Sequence, residues 1–97
     1  MRIKAKSKGD ITEVKAVLKH PMLSYDQAKA KGKEPNFIVY INAKVDDKIV
    51  YEASTSQFLS KNPFIKFKFK GNHKGKEIVI SWIDLKGNKK EGKAKIK

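Results

Sequence analysis

Apolar residues recur at every second position through most of the chain: Val14/Ala16/Leu18, Phe37/Val39/Ile41/Ala43/Val45, Ile49/Tyr51/Ala53, Ile65/Phe67/Phe69, Ile78/Ile80/Trp82 and Ala94/Ile96. A period of two puts one set of side chains on one face of an extended backbone, so each run reads as a half-buried β-strand. Many intervening residues are lysine: Lys66 and Lys68 flank Phe67, and Lys93, Lys95 and Lys97 surround Ala94 and Ile96. The pattern predicts antiparallel sheets with one face on a core and a lysine-coated exterior.

Turn chemistry divides the pattern into seven strands. A short first strand, residues 2–6 with Ile3 and Ala5 inward, ends at Lys8-Gly9-Asp10, and a second runs from Ile11 to His20, where Pro21 removes a backbone donor. Residues 22–36 lack sustained alternation and read as a long loop with one helical turn near residues 26–31. Loops of that length in small domains tend to carry function. Strands 37–45 and 48–54 form a hairpin with Asp46-Asp47 at its tip. Phe58 and Leu59 are expected to plug one end of the core as the chain crosses between sheets. Strands at 64–70, 76–84 and 89–96 are separated by Gly71-Asn72-His73-Lys74-Gly75 and Lys86-Gly87-Asn88. Seven strands with one inward Trp82 predict an all-β, immunoglobulin-like antiparallel sandwich in a single domain over residues 1–97, with a small five-stranded barrel as the alternative.

Ninety-seven residues hold one core but not a deep cleft between two layers. The net charge of +13 rests on 23 basic residues, of which only Arg2 is arginine. Base and phosphate readout leans on the arginine fork, so this charge reads as a solvated face or as complementary to an acidic partner. The absence of cysteine excludes a disulfide, a thiolate nucleophile and a Cys-based metal site. No apolar run suits a secretory signal or a membrane span.

Residues for catalysis do not assemble. His20 ends a strand and His73 sits in a connector, and neither has a neighbouring His, Cys or Glu at metal-ligand spacing. Asp46 and Asp47 are adjacent at a hairpin tip and read as a solvated turn, while Ser24 and Ser81 lack the glycine-flanked elbow of a nucleophile. No catalytic residue, cofactor or metal is therefore expected. Basic nucleic-acid binding is the alternative function, because aromatics interleave with lysines. Phe67, Phe69 and Trp82, however, share stripes with core residues, leaving Tyr40 and Phe64 as the aromatics of opposite parity. Ile38, Tyr40, Val50, Val79 and Ile83 share that opposite parity and are expected to make a half-apolar outer face of the kind partners cover.

His20-Pro21-Met22, a polar loop reaching Pro35-Asn36-Phe37-Ile38, then Ser60-Lys61-Asn62-Pro63-Phe64, and finally Ser81-Trp82-Ile83-Asp84 before Gly87 together resemble the SoxZ family over nearly the whole chain. SoxZ is the small subunit of the SoxYZ sulfur carrier of thiosulfate oxidation. The resemblance implies a non-catalytic subunit paired with SoxY, whose carboxy-terminal Gly-Gly-Cys-Gly-Gly arm holds sulfur covalently. It also implies transient docking with SoxAX, SoxB and SoxCD, and a periplasmic location reached by co-export with a signal-bearing partner. His20, Pro21 and Met22 are the contact residues carried over by motif, with Tyr40 and Phe64 added on parity. Self-association of the isolated chain through an open edge or face is a further expectation. A general immunoglobulin-like interaction module would share the fold and differ only in partner.

Overall fold

Seven strands form where the alternation places them, and the computed structural model describes residues 1–55 and 61–97. They are β1 (Arg2–Lys8), β2 (Ile11–Val17), β3 (Ile38–Val45), β4 (Lys48–Ser54), β5 (Phe64–Lys70), β6 (Glu77–Asp84) and β7 (Lys89–Lys95). A three-stranded sheet in the order β1-β2-β5 faces a four-stranded sheet in the order β4-β3-β6-β7, and every pairing is antiparallel. This is an immunoglobulin-like sandwich in which the fourth strand joins the third instead of extending the sheet of the first two. The expected plug, Phe58 and Leu59, lies outside the described residues.

The inward stripes meet as foreseen. Val14, Ala16 and Leu18 face Ile41, Ala43, Ile78, Ile80 and Trp82 in one continuous buried cluster. Each fully buried Val, Leu or Ile side chain there contributes on the order of 1.5–3 kcal/mol. Along one side of the sandwich Tyr51 of β4 stacks on Phe67 of β5, with centroids 4.2 Å apart and rings 8° from parallel. On the other side β1 comes so close to β7 that a Cβ on Gly92 would lie 2.7 Å from Met1 Sδ and 3.2 Å from Ile3 Cδ1. A larger residue at this position would have to displace the Met1 side chain.

Two register slips correct the expected outer face. Between Ile38 and Tyr40 the β3–β6 pairing shifts, and Phe37 and Ile38 both turn inward. Ile38 is fully buried and does not belong to the outer face. The β3–β4 pairing shifts between Ala43 and Lys44, whose partners are Tyr51 and Ile49, so Val50 is the extra residue of a bulge. Val50 consequently packs against the core, and Ile49, expected inside, is 51% exposed. A bulge inverts parity beyond it, which strict alternation cannot anticipate.

The segment after β2 is better ordered than a loop. Ser24 caps helix α1 (Tyr25–Lys31) through a capping box with Gln27, and Gly32 closes it in the left-handed conformation at φ 65°. Leu23 and Asn36 pair across the base of the excursion. At the β3–β4 tip Asp46 and Asp47 both have positive φ, 52° and 62°, matching the twist that two-residue hairpins favour.

Candidate partner-binding site

The inward stripe of β2 continues past Leu18 to His20, and that of β6 past Trp82 to Asp84. Both polar side chains are thereby carried into the same end of the sandwich, where they are 3% exposed. A buried carboxylate survives only with its oxygens satisfied. Asp84 Oδ2 accepts from His20 Nε2 at 3.1 Å, Asn36 Nδ2 at 2.9 Å and Asn88 Nδ2 at 3.0 Å. Its Oδ1 accepts from the backbone N–H groups of Lys86 at 3.1 Å and Asn88 at 2.8 Å. Burial opposes ionisation, but the hydrogen bonds from Asn88, Asn36 and His20 outweigh it and hold the carboxyl at about 2.

His20 is fixed as firmly. Its Nδ1 accepts the Met22 backbone N–H at 2.9 Å, so Nε2 carries the proton given to Asp84, and the ring lies edge-on to Trp82 with centroids 5.0 Å apart. Asn62 completes the joint: its side-chain oxygen accepts the His20 N–H at 3.0 Å and its own N–H donates to the His20 carbonyl at 2.9 Å. Met22, with φ 50°, turns its thioether inward, where Sδ accepts the Ile38 N–H at 3.3 Å. With both imidazole nitrogens and both carboxylate oxygens engaged, the His–Asp pair has no free nitrogen with which to deprotonate a nucleophile. Its chemistry is to pin four chain segments together.

The five candidate contact residues divide into two groups. His20 and Met22 are buried in this joint, while Pro21 between them is exposed. Phe64, 60% exposed, is brought near this loop because Leu18 N donates to the Pro63 carbonyl and Val17 pairs with Phe64. Tyr40 is not brought together with them: it lies half-buried on the outer face of the other sheet. There Ser81 Oγ donates to Asn42 Oδ1 at 2.6 Å, Asn42 Nδ2 donates to the Tyr40 hydroxyl at 3.4 Å, and that hydroxyl donates to Glu52. The bond to Glu52 raises the Tyr40 hydroxyl above its ordinary value. Half-buried Val79 and Ile83, and exposed Ile49, surround this polar line.

The family model described as Sulphur oxidation protein SoxZ matches residues 1–95 of this chain. The chain belongs to the SoxZ family. Membership gives it a role in sulfur oxidation, within the Sox system. A comparison with curated proteins gives no match. Among the described residues no helix is long and apolar enough to cross a membrane, and no group of three or more His, Asp or Glu stands where it could hold a metal ion.

The motifs that suggested the SoxZ family are the ones that meet at the joint: His20, Asn36, Asn62 and Asp84 come from four separate segments. Reading for function passed over Asn36, Asn62, Asp84 and Asn88. The signal was present in the alternation itself, since His20 and Asp84 occupy core parity and a polar side chain on a core stripe needs a buried partner. Asn36, Asn62 and Asn88 carry no periodic signal, because they lie in connections between strands.

Proposed function

We propose that this SoxZ-family chain is the non-catalytic half of a SoxYZ-type sulfur carrier in thiosulfate oxidation. It scaffolds a SoxY-like subunit whose carboxy-terminal cysteine arm holds the sulfur intermediates and presents them to SoxAX, SoxB and SoxCD in the periplasm. The family match over residues 1–95 carries this reading. Chemistry supports it: covalent sulfur carriage needs a thiolate, and a chain without cysteine must take it from a partner. A tethered arm then replaces diffusion between enzymes with a high local concentration.

The permanent partner belongs on the outer face of the four-stranded sheet. Tyr40, Val79 and Ile83 give that face apolar surface, and the Ser81–Asn42–Tyr40–Glu52 line at its centre is already hydrogen-bonded, so covering that centre strands few polar groups. Pro21 would extend contact at the sandwich end, with His20 and Met22 holding the Pro21 loop in shape from beneath. Purification of the tagged chain from its native host at physiological salt tests the proposal. Recovery of a similar-sized protein ending in a Cys-bearing glycine arm is expected. Recovery of nucleic acid that survives high salt, with no such protein, would overturn it.

A further inference from the structure

The outer face of the three-stranded sheet is a grid of aligned cations. Its cross-strand rows are Arg2–Val17–Phe64, Lys4–Lys15–Lys66, Lys6–Glu13–Lys68 and Lys8–Ile11–Lys70. Eight cations stand against one carboxylate, so this face holds +7 of the chain's +13. Like charges directly opposite one another on a sheet, about 5 Å apart, are destabilising. Lysines on the edge strands β1 and β5 guard against edge-to-edge pairing. That role does not account for Lys15, which sits on the central strand between Lys4 and Lys66.

From this register we infer that the outer face of β1-β2-β5 is a docking surface for an acidic polypeptide segment that sets an apolar side chain against Phe64 and Val17. Phe64 is 60% and Val17 38% exposed at one end of the grid, a place for a non-polar contact beside the charges. A groove of about 650 Å³ runs from this sheet past Ile3 to Ala94, Lys95 and Lys97, extending the basic surface around the β1 edge. Three strands of seven residues span about 14 by 20 Å, roughly 300 Å² in projection, well short of the ~800 Å² per partner of a stable complex. Docking here is accordingly transient, fast to form and weakened by salt.

A nucleic acid fits the same grid less well. Single strands are held by exposed aromatics, yet Phe67 and Phe69 point away from this face and Phe64 is its one aromatic. Arg2 is the one guanidinium, and Glu13, bridged to Lys15 and Lys68, sets a carboxylate where a phosphate would pass. This inference stands on charge and register and does not depend on the sulfur-carrier reading.

The test compares two double variants of equal net charge in the full chain, Lys15→Glu/Lys66→Glu on the grid and Lys89→Glu/Lys93→Glu on β7. The probes are a fluorescein-labelled 16-residue Glu/Ser peptide containing two leucines, its leucine-free counterpart, and a 16-nucleotide oligo-dT, all followed by anisotropy. All four lysines are exposed, and thermal unfolding confirms that each variant is folded. The grid variant is expected to weaken leucine-peptide binding at least about tenfold, and the β7 variant less than about threefold. Phe64→Ser should weaken the leucine peptide and leave its counterpart unchanged. Equal losses in the two double variants would reduce the effect to net charge and overturn the inference. Tighter binding of oligo-dT than of the leucine peptide, lost in the grid variant, would overturn it in favour of a nucleic-acid surface.

Discussion

The two outer faces of the sandwich are built from the same strand geometry and carry opposite solutions to the same surface problem. On the four-stranded sheet Lys44, Lys89, Lys93 and Lys95 are nearly balanced by Glu52, Glu77 and Glu91, a net of +1. Its centre is the hydrogen-bonded line from Ser81 through Asn42 and Tyr40 to Glu52. On the three-stranded sheet the rows are cationic and have Glu13 as their single counter-charge. Against the cost of desolvation, Lys66, Lys15 and Lys68 pull the Glu13 carboxyl below its ordinary value. A face whose charges nearly cancel and whose centre is hydrogen-bonded suits a lasting partner, whereas an unbalanced one favours a partner that arrives and leaves. On the proposed reading, one is a surface for assembly and the other a surface for traffic.

The contrast depends on the parity of the strands beneath it, and Trp82 is its most severe test. At 5% exposure on the inner side of β6, Trp82→Ala should cost about 3–5 kcal/mol in urea or thermal unfolding. A near-neutral result would reverse the parity of β6 and move Val79 and Ile83 off the outer face. The next largest effect comes from the joint that holds both sheets in register. The carboxyl of Asp84 sits at about 2 when folded against an ordinary 3.8, so its contribution is present above about pH 4 and is lost as pH falls towards 2. That loss amounts to about 2 kcal/mol. Unfolding measured across this window should show the slope, and Asp84→Asn should flatten it while lowering stability at pH 7.

Smaller substitutions separate the faces directly. Ile83→Lys adds charge to the balanced face and is expected to reduce recovery of a SoxY-like partner about tenfold while leaving binding of the acidic leucine peptide unchanged. Parallel loss of both would merge the two surfaces into one. The smallest effect is salt: raising ionic strength should lift the unfolding temperature by a few degrees by screening the lysine rows. Lys15→Glu, which sets a carboxylate between Lys4 and Lys66, should blunt that rise. An undiminished rise would locate the repulsion elsewhere.

The inner half of the fold was legible because burial and the two-residue period are the same fact. Val14, Ala16, Leu18, Ile41, Ala43, Ile78, Ile80 and Trp82 sit where alternation puts them. Parity failed at Ile38, Ile49 and Val50, beside register slips that depend on pairing with another strand. The exterior was less legible for a related reason. That Lys66 and Lys68 point outward follows from their own strand, but that Lys4, Lys15 and Lys66 form one row requires knowing that β2 lies between β1 and β5. The joint was half-legible: His20 and Asp84 advertise themselves by parity, while Asn36, Asn62 and Asn88 are supplied by connections whose course no periodicity describes.

The carboxylate at the sandwich end also bears on how quickly the fold is lost. Asp84 bonds His20 across 64 positions of sequence and Asn36 across 48. Contacts of such long range are expected to close after β2, β3 and β6 have assembled, on the native side of the folding barrier. Weakening them, for example by Asn36→Ala, should steepen escape from the native state and leave the rate of reaching it almost unchanged in stopped-flow chevrons. With that outcome the joint is a latch whose worth is measured in the lifetime of the folded domain.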